Sequence, residues 1–285
     1  MSTPYDCYTS AVPEIPDLEV IREFLNERIA GREIVRAKAP KPWIVRSLAA
    51  DDFLSDVVGR TFGTILRKGK DLLFPLSDDR VLVANLMLTG RFQYTEPSTR
   101  PSKRMFFMLG TEDMDLRYLD DKSMGRINYV TTAQLGEIRR LQEQGPDALD
   151  PGATFEDFVE RLRPYTGEIK GVIARGKVVA GIGNAYVDEI LWEAGVSPFR
   201  KRRSLSDDEL RSLYDAIPRV LNEATGVVRE RMPPKIHVKV RDFLKVHRKG
   251  GDPCPRCGAP ISEIGPNQKI TSWCRACQPG GLVRN

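Results

Sequence analysis

Four of the five cysteines lie close together near the end of the sequence, in the pattern C-x2-C-x16-C-x2-C. They are Cys254, Cys257, Cys274 and Cys277. Two CxxC pairs let four thiolates converge tetrahedrally on one Zn²⁺, and four protein ligands leave no coordination position open for water, which favours a structural role. A pair of disulfides is the alternative, and it is disfavoured in a chain with no export signal. The pattern therefore predicts one structural zinc ion.

A second set of residues has the types expected for phosphate binding. In GIGNAY, residues 181–186, two glycines allow the backbone to approach a ligand closely, and Asn184 stands where a helix begins and leaves N–H groups free. A turn with a capping Asn is the alternative interpretation. Between this motif and the first cysteine, positive charge is concentrated at Lys235, Lys239, Arg241, Lys245, Arg248 and Lys249. Basic residues beside a zinc module favour contact with nucleic-acid phosphates over a merely solvated surface.

Composition is consistent with a two-domain globular protein. The chain has 285 residues, 41% of them hydrophobic, with a net charge of +5. Its longest apolar runs, such as VLVANLML at 81–88, are far shorter than the roughly 20 residues that cross a bilayer, and the N-terminus does not resemble a signal peptide. We therefore expect a soluble protein of the cytoplasm that does not enter a membrane.

The elements that must position these residues change in character along the chain. Leu18, Ile21, Leu25 and Ile29 share one helical stripe, with Gly31 as a stop signal. Residues 43–130 are rich in strand segments separated by polar turns, which predicts a β-sandwich. QGPDALDPGAT, residues 144–154, has the composition of an interdomain linker.

After that stretch the pattern is helical. TFEDFVERLRPY, NAYVDEILWEAG and SLSDDELRSLYDAIPRVLNEATG each predict a helix, and Ser206 and Glu209 in the last of them have capping-box spacing. Pro218 lies inside that last segment and is expected to kink or divide the helix. The resulting fold class is α+β.

Three separated motifs together resemble the formamidopyrimidine-DNA glycosylase and endonuclease VIII family of base-excision repair enzymes. They are PEIPDLEV from Pro13, VAGIGNAYVDEILWEAGVSP at 179–198, and the four-cysteine module. The resemblance runs from Pro13 to about Pro279. It implies an N-terminal β-sandwich flanked by helices, a helix-two-turn-helix domain and a C-terminal zinc finger, with DNA running through the cleft between the domains. The expected limits are 1–12 for an extension, 13–145, 146–234 and 235–285.

By this resemblance, the nucleophile is the amine of an N-terminal proline, which here matches Pro13. An α-amine has a pKa near ~8 against ~10.4 for lysine, so more of it is unprotonated at neutral pH. Glu14 matches the carboxylate that exchanges protons with the opening sugar, and Lys70 the lysine that holds a phosphate and assists catalysis. A helix-end charge for Glu14 and a solvated turn lysine for Lys70 are the alternatives.

Pro13 is internal in this sequence, and an amide nitrogen has no lone pair that can attack a sugar. The preceding residue is Val12, which a GUG start codon would encode if it were read internally. We therefore hypothesise that residues 1–12 are an over-extended start and that the active chain begins at Pro13. If the extension is genuine, the protein is processed or has given up this chemistry.

The chain departs from the family pattern in the residues that would contact DNA. Where the family has His-Leu-Gly-Met-(Ser/Thr)-Gly, this chain has NLMLTG at 85–90. Leu88 is therefore the residue expected to fill the gap left by the extruded base. Where the family has Asp-Pro-Arg-Arg-Phe-Gly, this chain has DDKSMG at 120–125, so Lys122 and Met124 replace an Arg and the Phe. Lys lacks the bidentate fork of Arg, which predicts altered discrimination of the opposite base. Lys269 replaces a phosphate-gripping Arg of the zinc finger.

The prediction is a monomeric bifunctional DNA glycosylase and abasic-site lyase that acts on double-stranded DNA with damaged bases or abasic sites. Only about 20 residues link the last long helix to the zinc module, without the family's long base-capping loop. That absence favours oxidised pyrimidines or ring-opened lesions as substrates. Two other functions remain open from the sequence: a non-catalytic binder of damaged DNA with Pro13 blocked, and a zinc-dependent RNA-binding or ribosome-associated module.

Overall fold

A computed structural model of the chain describes residues 12–265 and 270–280. They fall into two compact units. The first holds the chain as far as Gln142 together with Val227–Val240, and the second holds Glu143–Gly226 together with the residues from Arg241 onward. Among the described residues, no helix is both long and apolar enough to span a membrane.

The first unit begins with helix α1, Ile15–Ile29. The four residues of the predicted stripe are all buried, and Gly31 follows with φ +81°, the left-handed conformation that ends a helix. Near the other end of the unit's sequence, the guanidinium of Arg229 forms an ion pair with Glu23, with an Nε–Oε2 distance of 2.7 Å. Helix α1 is therefore held in two ways, by burial of its apolar face and by an ion pair at its surface.

Among the described residues, nine strands and two short α-helices follow in the first unit. The short helices are α2 (Phe53–Val57) and α3 (Arg139–Glu143), the latter running one residue into the second unit. The strands are β1 (Arg36–Lys38), β2 (Val45–Ser47), β3 (Leu66–Lys68), β4 (Asp71–Leu76), β5 (Arg80–Asn85), β6 (Gly90–Thr95), β7 (Met105–Gly110), β8 (Asp115–Asp120) and β9 (Arg126–Val130).

These strands form the two sheets that the alternating sequence predicts. One sheet has the order β1-β7-β8-β6 and the other β2-β9-β5-β4-β3, antiparallel except where β2 pairs with β9. Aromatic side chains fill the core, with Tyr118 stacked on Phe107 at 5.3 Å between ring centroids and edge-on to Phe92 at 5.6 Å. Burial of such large rings supplies much of the driving force for folding.

The second unit is helical, with α4 (Phe155–Leu162), α5 (Ile169–Ala174), α6 (Asn184–Glu193) and α7 (Asp207–Arg231), the last of which ends in the first unit. Ser206 and Glu209 form the predicted capping box: each backbone N–H donates to the other side chain, at 2.8 and 3.2 Å. Of the two outcomes expected at Pro218, division of the last helix is wrong, because α7 continues through it, and a kink stays a prediction. Buried leucines on both sides, Leu213 and Leu221, hold the helix together despite the lost hydrogen bond.

Residues 144–154 are not a loose linker. The backbone N–H of Gly145 donates to Gly176, that of Ala148 to Ala180, and that of Ala180 to Pro146, at 2.7–3.1 Å. The stretch is thereby fixed to the turn that precedes α6. A two-stranded hairpin, β10 (Ser262–Ile264) and β11 (Thr271–Trp273), completes the unit beside the cysteines. The α+β class with sandwich, helical and four-cysteine parts is confirmed.

Candidate active site

Pro13 and Glu14 lie at the start of α1, where the first backbone N–H groups of a helix need partners. Both residues are buried, and Glu14 is only 2% exposed. Glu14 is the N-cap: its backbone N–H donates to Asp17 Oδ2 at 2.9 Å, and its side chain accepts from the backbone of Asp17. This reciprocal capping fixes the Glu14 carboxylate within the unit, one residue from Pro13.

Lys70 occupies the turn between β3 and β4, after Gly69 at φ +57°. Arg67 ties this turn to α1, since its guanidinium donates to the Glu19 carboxylate at 2.8 Å and to the Gly69 carbonyl at 3.1 Å. Burial lowers the pKa of Lys70, while the nearby Glu14 carboxylate acts in the opposite direction. Lys70 and Glu14 therefore lie within electrostatic reach of each other, and their catalytic roles stay predictions.

The predicted DNA-contact loops of the sandwich are joined through one buried carboxylate, Asp120. It pairs with the Thr89 hydroxyl in the β5–β6 turn and accepts from the Lys122 and Gly125 backbone N–H groups at 3.1 and 2.8 Å in the β8–β9 loop. Although burial acts to raise the pKa of Asp120, these hydrogen bonds lower it overall. Tyr118 also donates to Asp120, at 3.2 Å. The loops that carry Leu88 and Lys122 are therefore held as one surface.

Exposure differs among the three residues predicted for that surface. Met124 is 40% exposed and Lys122 is exposed, which suits contact with DNA. Leu88 is 6% exposed, and its carbonyl accepts from Lys239 Nζ at 3.3 Å, so in this conformation it packs inward. Its neighbour Met87 is more exposed and has φ +49°, at the position where the family pattern has Gly. The wedge role of Leu88 stays a prediction, with Met87 beside it as a further candidate.

In the second unit, Asn184 is the first residue of α6, as the motif predicts. Its side-chain amide donates to the Ile270 carbonyl at 2.8 Å, and Lys170 Nζ on α5 donates to the same carbonyl at 2.7 Å. Lys170 also pairs with the buried Asp188 at 2.7 Å. Two donor side chains and the start of a helix thus converge on the base of the zinc-module hairpin, an arrangement suited to phosphate.

Asp188 connects this group to the rest of the unit. Its Oδ2 lies 2.7 Å from His247 Nδ1 and accepts from the Ser272 backbone N–H at 3.2 Å. The adjacent Glu189 accepts three consecutive backbone N–H groups, those of residues 245–247, at 2.8 Å each. The basic segment before the cysteines is thereby fixed to α6. Lys269, predicted to contact phosphate, lies outside the described residues.

The sulfur atoms of the four predicted zinc ligands lie within 4.8 Å of one another. Cys254 and Cys277 are 3.9 Å apart and Cys257 and Cys274 are 3.5 Å apart, too far for disulfide bonds. A tetrahedron with Zn–S bonds of about 2.3 Å has sulfur–sulfur edges of about 3.8 Å, so the four thiols fit one zinc ion.

The surroundings of the cysteines favour a bound cation. Burial opposes ionisation of Cys254, yet hydrogen bonds from the Arg256 backbone and the Trp192 indole bring its pKa down to about 6. Burial and the neighbouring thiols raise the pKa of Cys277 to about 12. Four thiolates cannot coexist here without a cation between them. Trp192 and Val246 pack against the buried cysteines, so the module shares a small core with α6.

The sequence matches three family profiles, one after another along the chain. Residues 12–127 match the formamidopyrimidine-DNA glycosylase N-terminal domain, residues 144–231 its H2TH domain, and residues 251–280 the zinc finger found in FPG and IleRS. The chain belongs to the formamidopyrimidine-DNA glycosylase family. The four cysteines of this family member hold a structural zinc.

Relatives and solved structures resemble nearly the whole chain. The formamidopyrimidine-DNA glycosylase of Listeria innocua is 31% identical over 273 residues, and that of Desulfitobacterium hafniense 33% over 272; each alignment covers 94% of this chain and 100% of the relative. Lactococcus lactis Fpg superposes with a TM-score of 0.86 at 29% identity, covering 94% of this chain and 100% of that one. It was solved with DNA that contains N7-benzyl-Fapy-dG and, separately, an abasic site.

The sequence did not identify the residues that hold the predicted site residues and their loops in place. Arg67, Asp120 and Asp188 act through partners that are distant in sequence, and a single sequence gives no signal for such pairs. His237 was also missed; it lines a small cavity beside Pro13. The signal that could have identified it is its type, because His is one of the commonest catalytic and binding side chains and this chain has only two.

Proposed function

We propose that this chain is a bifunctional DNA glycosylase and abasic-site lyase in which the amine of Pro13 forms a covalent intermediate with the sugar. The observation that carries the proposal is the burial of Pro13 and Glu14 at the start of α1, with Lys70 in electrostatic reach of Glu14. Membership of a family of DNA glycosylases supports an enzyme over a non-catalytic DNA binder and over an RNA-binding module.

The reaction needs a nucleophile, a proton carrier and a cation. The Pro13 lone pair bonds to C1′, and the bond from C1′ to the base breaks, with its electron pair leaving on the base. Glu14 transfers the proton of the Pro13 amine to the ring oxygen, and the bond from C1′ to that oxygen breaks, which opens the sugar and leaves an iminium between Pro13 and C1′. The iminium withdraws electrons, so a proton is lost from C2′ and the 3′ phosphate leaves. Water then releases Pro13, and Lys70 holds a phosphate throughout.

This chemistry requires Pro13 to be the first residue, because only then is its nitrogen a secondary amine. We propose that the active form begins at Pro13. The family profile begins at residue 12, one position earlier, and relatives align over their full length with 94% of this chain. The buried Glu14 carboxylate would also stabilise a positive charge on Pro13.

DNA binding is assigned to both units. In the sandwich, Lys122 and Met124 are exposed on the surface organised by Asp120, and Leu88 lies in the adjoining turn. In the second unit, Asn184 is proposed to contact a phosphate together with the start of α6, and Lys269 to contact another. We propose that the protein acts as a monomer, in the cytoplasm, at the nucleoid of its bacterium.

The test of this proposal uses the chain that begins at Pro13 and end-labelled duplexes that carry one formamidopyrimidine, one thymine glycol, one abasic site or no lesion. Base release followed by strand cleavage at the lesion, and none on undamaged DNA, is the expected result. The formamidopyrimidine duplex should be a good substrate because its base is ring-opened. Binding to these duplexes without any cleavage would contradict the enzyme and favour a damage-binding protein.

A further inference from the structure

A small cavity of about 10 Å³ lies beside Pro13 in the first unit. Its walls come from three places: the first turn of α1, the turn between β5 and β6, and the segment that follows α7, residues 232–239, here called the post-α7 segment. A volume of this size holds about one water molecule, or one polar atom of a ligand. The cavity therefore defines a site at which a single substrate atom meets the protein next to the proposed nucleophile.

The post-α7 segment is fixed rather than loose. Met232 and Ile236 are 3% and 2% exposed, and both line the cavity. Backbone N–H groups of Lys235 and Val238 donate to Met232 and Lys235 at 3.0 and 2.9 Å, which makes a compact turn. His237 directly follows the buried Ile236 and lies inside the turn closed by Lys235 and Val238, which holds it in a defined position, as a binding residue requires.

Most polar side chains around this cavity are engaged elsewhere. Arg91 forms a two-point ion pair with Asp121 at 2.9 and 3.2 Å, Lys239 donates to the Leu88 carbonyl, and Asp17 caps α1. For the His237 ring, no protein hydrogen-bond partner is found within the described part of the chain. His237 is thus the side chain at this cavity whose donor and acceptor are available to a substrate.

His237 carries no charge at neutral pH. Burial lowers its pKa, and the positive charges of Arg91 and Lys235 lower it further. A neutral imidazole offers one N–H donor and one acceptor nitrogen. Arg91 and Lys239 line the cavity together with one carboxylate, Asp17, and an imidazole that donates its N–H there takes an oxygen of the ligand as its partner.

The residues that line this cavity favour the base over the sugar ring as its occupant. On the proposed function, Glu14 serves the ring oxygen, which is one of two heteroatoms on C1′; the other is the base nitrogen. Neither Glu14 nor Lys70 is among the described residues that line the cavity. Since the group proposed to serve the ring oxygen does not line the cavity, the base is the substituent of C1′ assigned to it.

We propose that His237 is a base-recognition residue, which donates a hydrogen bond to an exocyclic oxygen of the damaged base at the cavity beside Pro13. The proposal rests on the proposed function and adds to it a specificity determinant from the post-α7 segment. An oxygen-bearing edge is what ring-opened and oxidised bases present, so His237 would favour such bases over an abasic sugar, which has no base to contact.

The test compares two activities of the chain that begins at Pro13: single-turnover base excision from formamidopyrimidine duplex, and borohydride trapping on abasic-site duplex. His237→Ala should slow excision by roughly tenfold, the effect of one lost hydrogen bond, and leave trapping within about twofold. His237→Gln, which keeps a donor and an acceptor, should recover most of the excision rate. Val238→Ala, an exposed neighbour in the same segment, is the matched control and should change neither activity.

Equal losses of excision and trapping in both His237 variants would overturn the proposal, since they would show a structural or sugar-directed role. Unchanged excision in His237→Ala would overturn it as well. Failure of the unsubstituted chain to trap abasic-site DNA would instead contradict the proposed function, and the inference with it. The parent chain's trapping thus separates a failure of the function from a failure of His237.

Discussion

Glu14 shows how much of the site one residue can encode. A carboxylate directly after Pro13 and before a helical stripe was predictable, because helix starts and acid–base groups both use that residue type. The 2% exposure of Glu14 and its pairing with Asp17 could not be predicted, because burial depends on the sandwich that forms around the residue. The same holds for His237, whose neighbours Arg91 and Pro13 are far away in sequence.

Glu14→Gln removes the proposed proton carrier while keeping the shape of the N-cap. We expect the base-excision rate to fall by about 10²–10⁴-fold, the usual contribution of a general acid or base, with affinity for lesion duplex changed little. Single-turnover excision and fluorescence-anisotropy binding on the same duplex measure both quantities. Excision within threefold of the parent chain would show that Glu14 is a structural cap.

Asp120→Ala should disorganise the two loops that its carboxylate holds together. It leaves buried N–H and hydroxyl groups without an acceptor, so we expect the free energy of unfolding in urea to drop by about 1–3 kcal/mol. Discrimination between lesion and intact duplex should fall with it. Asp121→Ala is the matched control: Asp121 pairs with Arg91 and Arg104 at a more exposed position and should change stability less. Equal effects of the two substitutions would contradict the assignment.

At the scale of elements, the strands and most helices could be predicted because their periods are long and their ends are marked. Ser206 with Glu209 is such an end mark, confirmed as a capping box. Pro218 does not divide α7 because its cost of about 3 kcal/mol is local, whereas packing along the helix accumulates over many buried residues. Residues 144–154 look like a linker in composition, and their hydrogen bonds to residues 176–180 become visible only in the fold.

A half-buried carboxylate on α2 makes the sandwich sensitive to acid. Asp56 pairs with Arg60 and Arg80 and accepts from Tyr129 at 2.6 Å. Burial opposes ionisation of Asp56, but these partners lower its pKa from 3.8 to about 2. A depressed pKa contributes stability that is complete above about pH 4 and is lost as pH falls toward 2.

Asp56→Asn should therefore reduce the free energy of unfolding by about 2 kcal/mol at pH 7 and by much less at pH 2. Urea titrations of parent and variant at pH 7, 4 and 2 measure the difference. Asp52→Asn, which removes the charge of the exposed N-cap of the same helix but keeps an acceptor oxygen, is the control for loss of a carboxylate alone. A difference that stays constant across the three pH values would mean that Asp56 acts by shape and not by charge.

At the scale of the whole molecule, the three-part organisation could be predicted because each part has its own signature. The cysteine spacing is the strongest of these, since four thiols in two pairs admit few other structures. What composition could not show is that the zinc module shares its core with Trp192 of α6, nor that residues 227–240 group with the catalytic unit. Those features arise from contacts between segments far apart in sequence.

Removal of zinc should consequently affect more than the finger. Cys277→Ser, or chelation of the metal, should abolish high-affinity DNA binding and alter the near-ultraviolet circular dichroism of Trp192 and Trp273. Metal analysis should give one zinc per chain in the parent protein. Ala276→Ser, an exposed position next to Cys277, is the control and should leave metal content and binding unchanged. Normal DNA affinity in a metal-free preparation would contradict a structural role for the zinc.

The central claim is that a free Pro13 amine attacks the sugar, and borohydride trapping on abasic-site DNA followed by mass spectrometry of the cross-linked peptide tests it most directly. The chain that begins at Pro13 should be trapped with the sugar on the Pro13 nitrogen, and the full chain from Met1 should trap at least about tenfold less, because an amide nitrogen is not nucleophilic. Equal trapping by an uncleaved chain from Met1, with the sugar attached to Lys70, would contradict the claim.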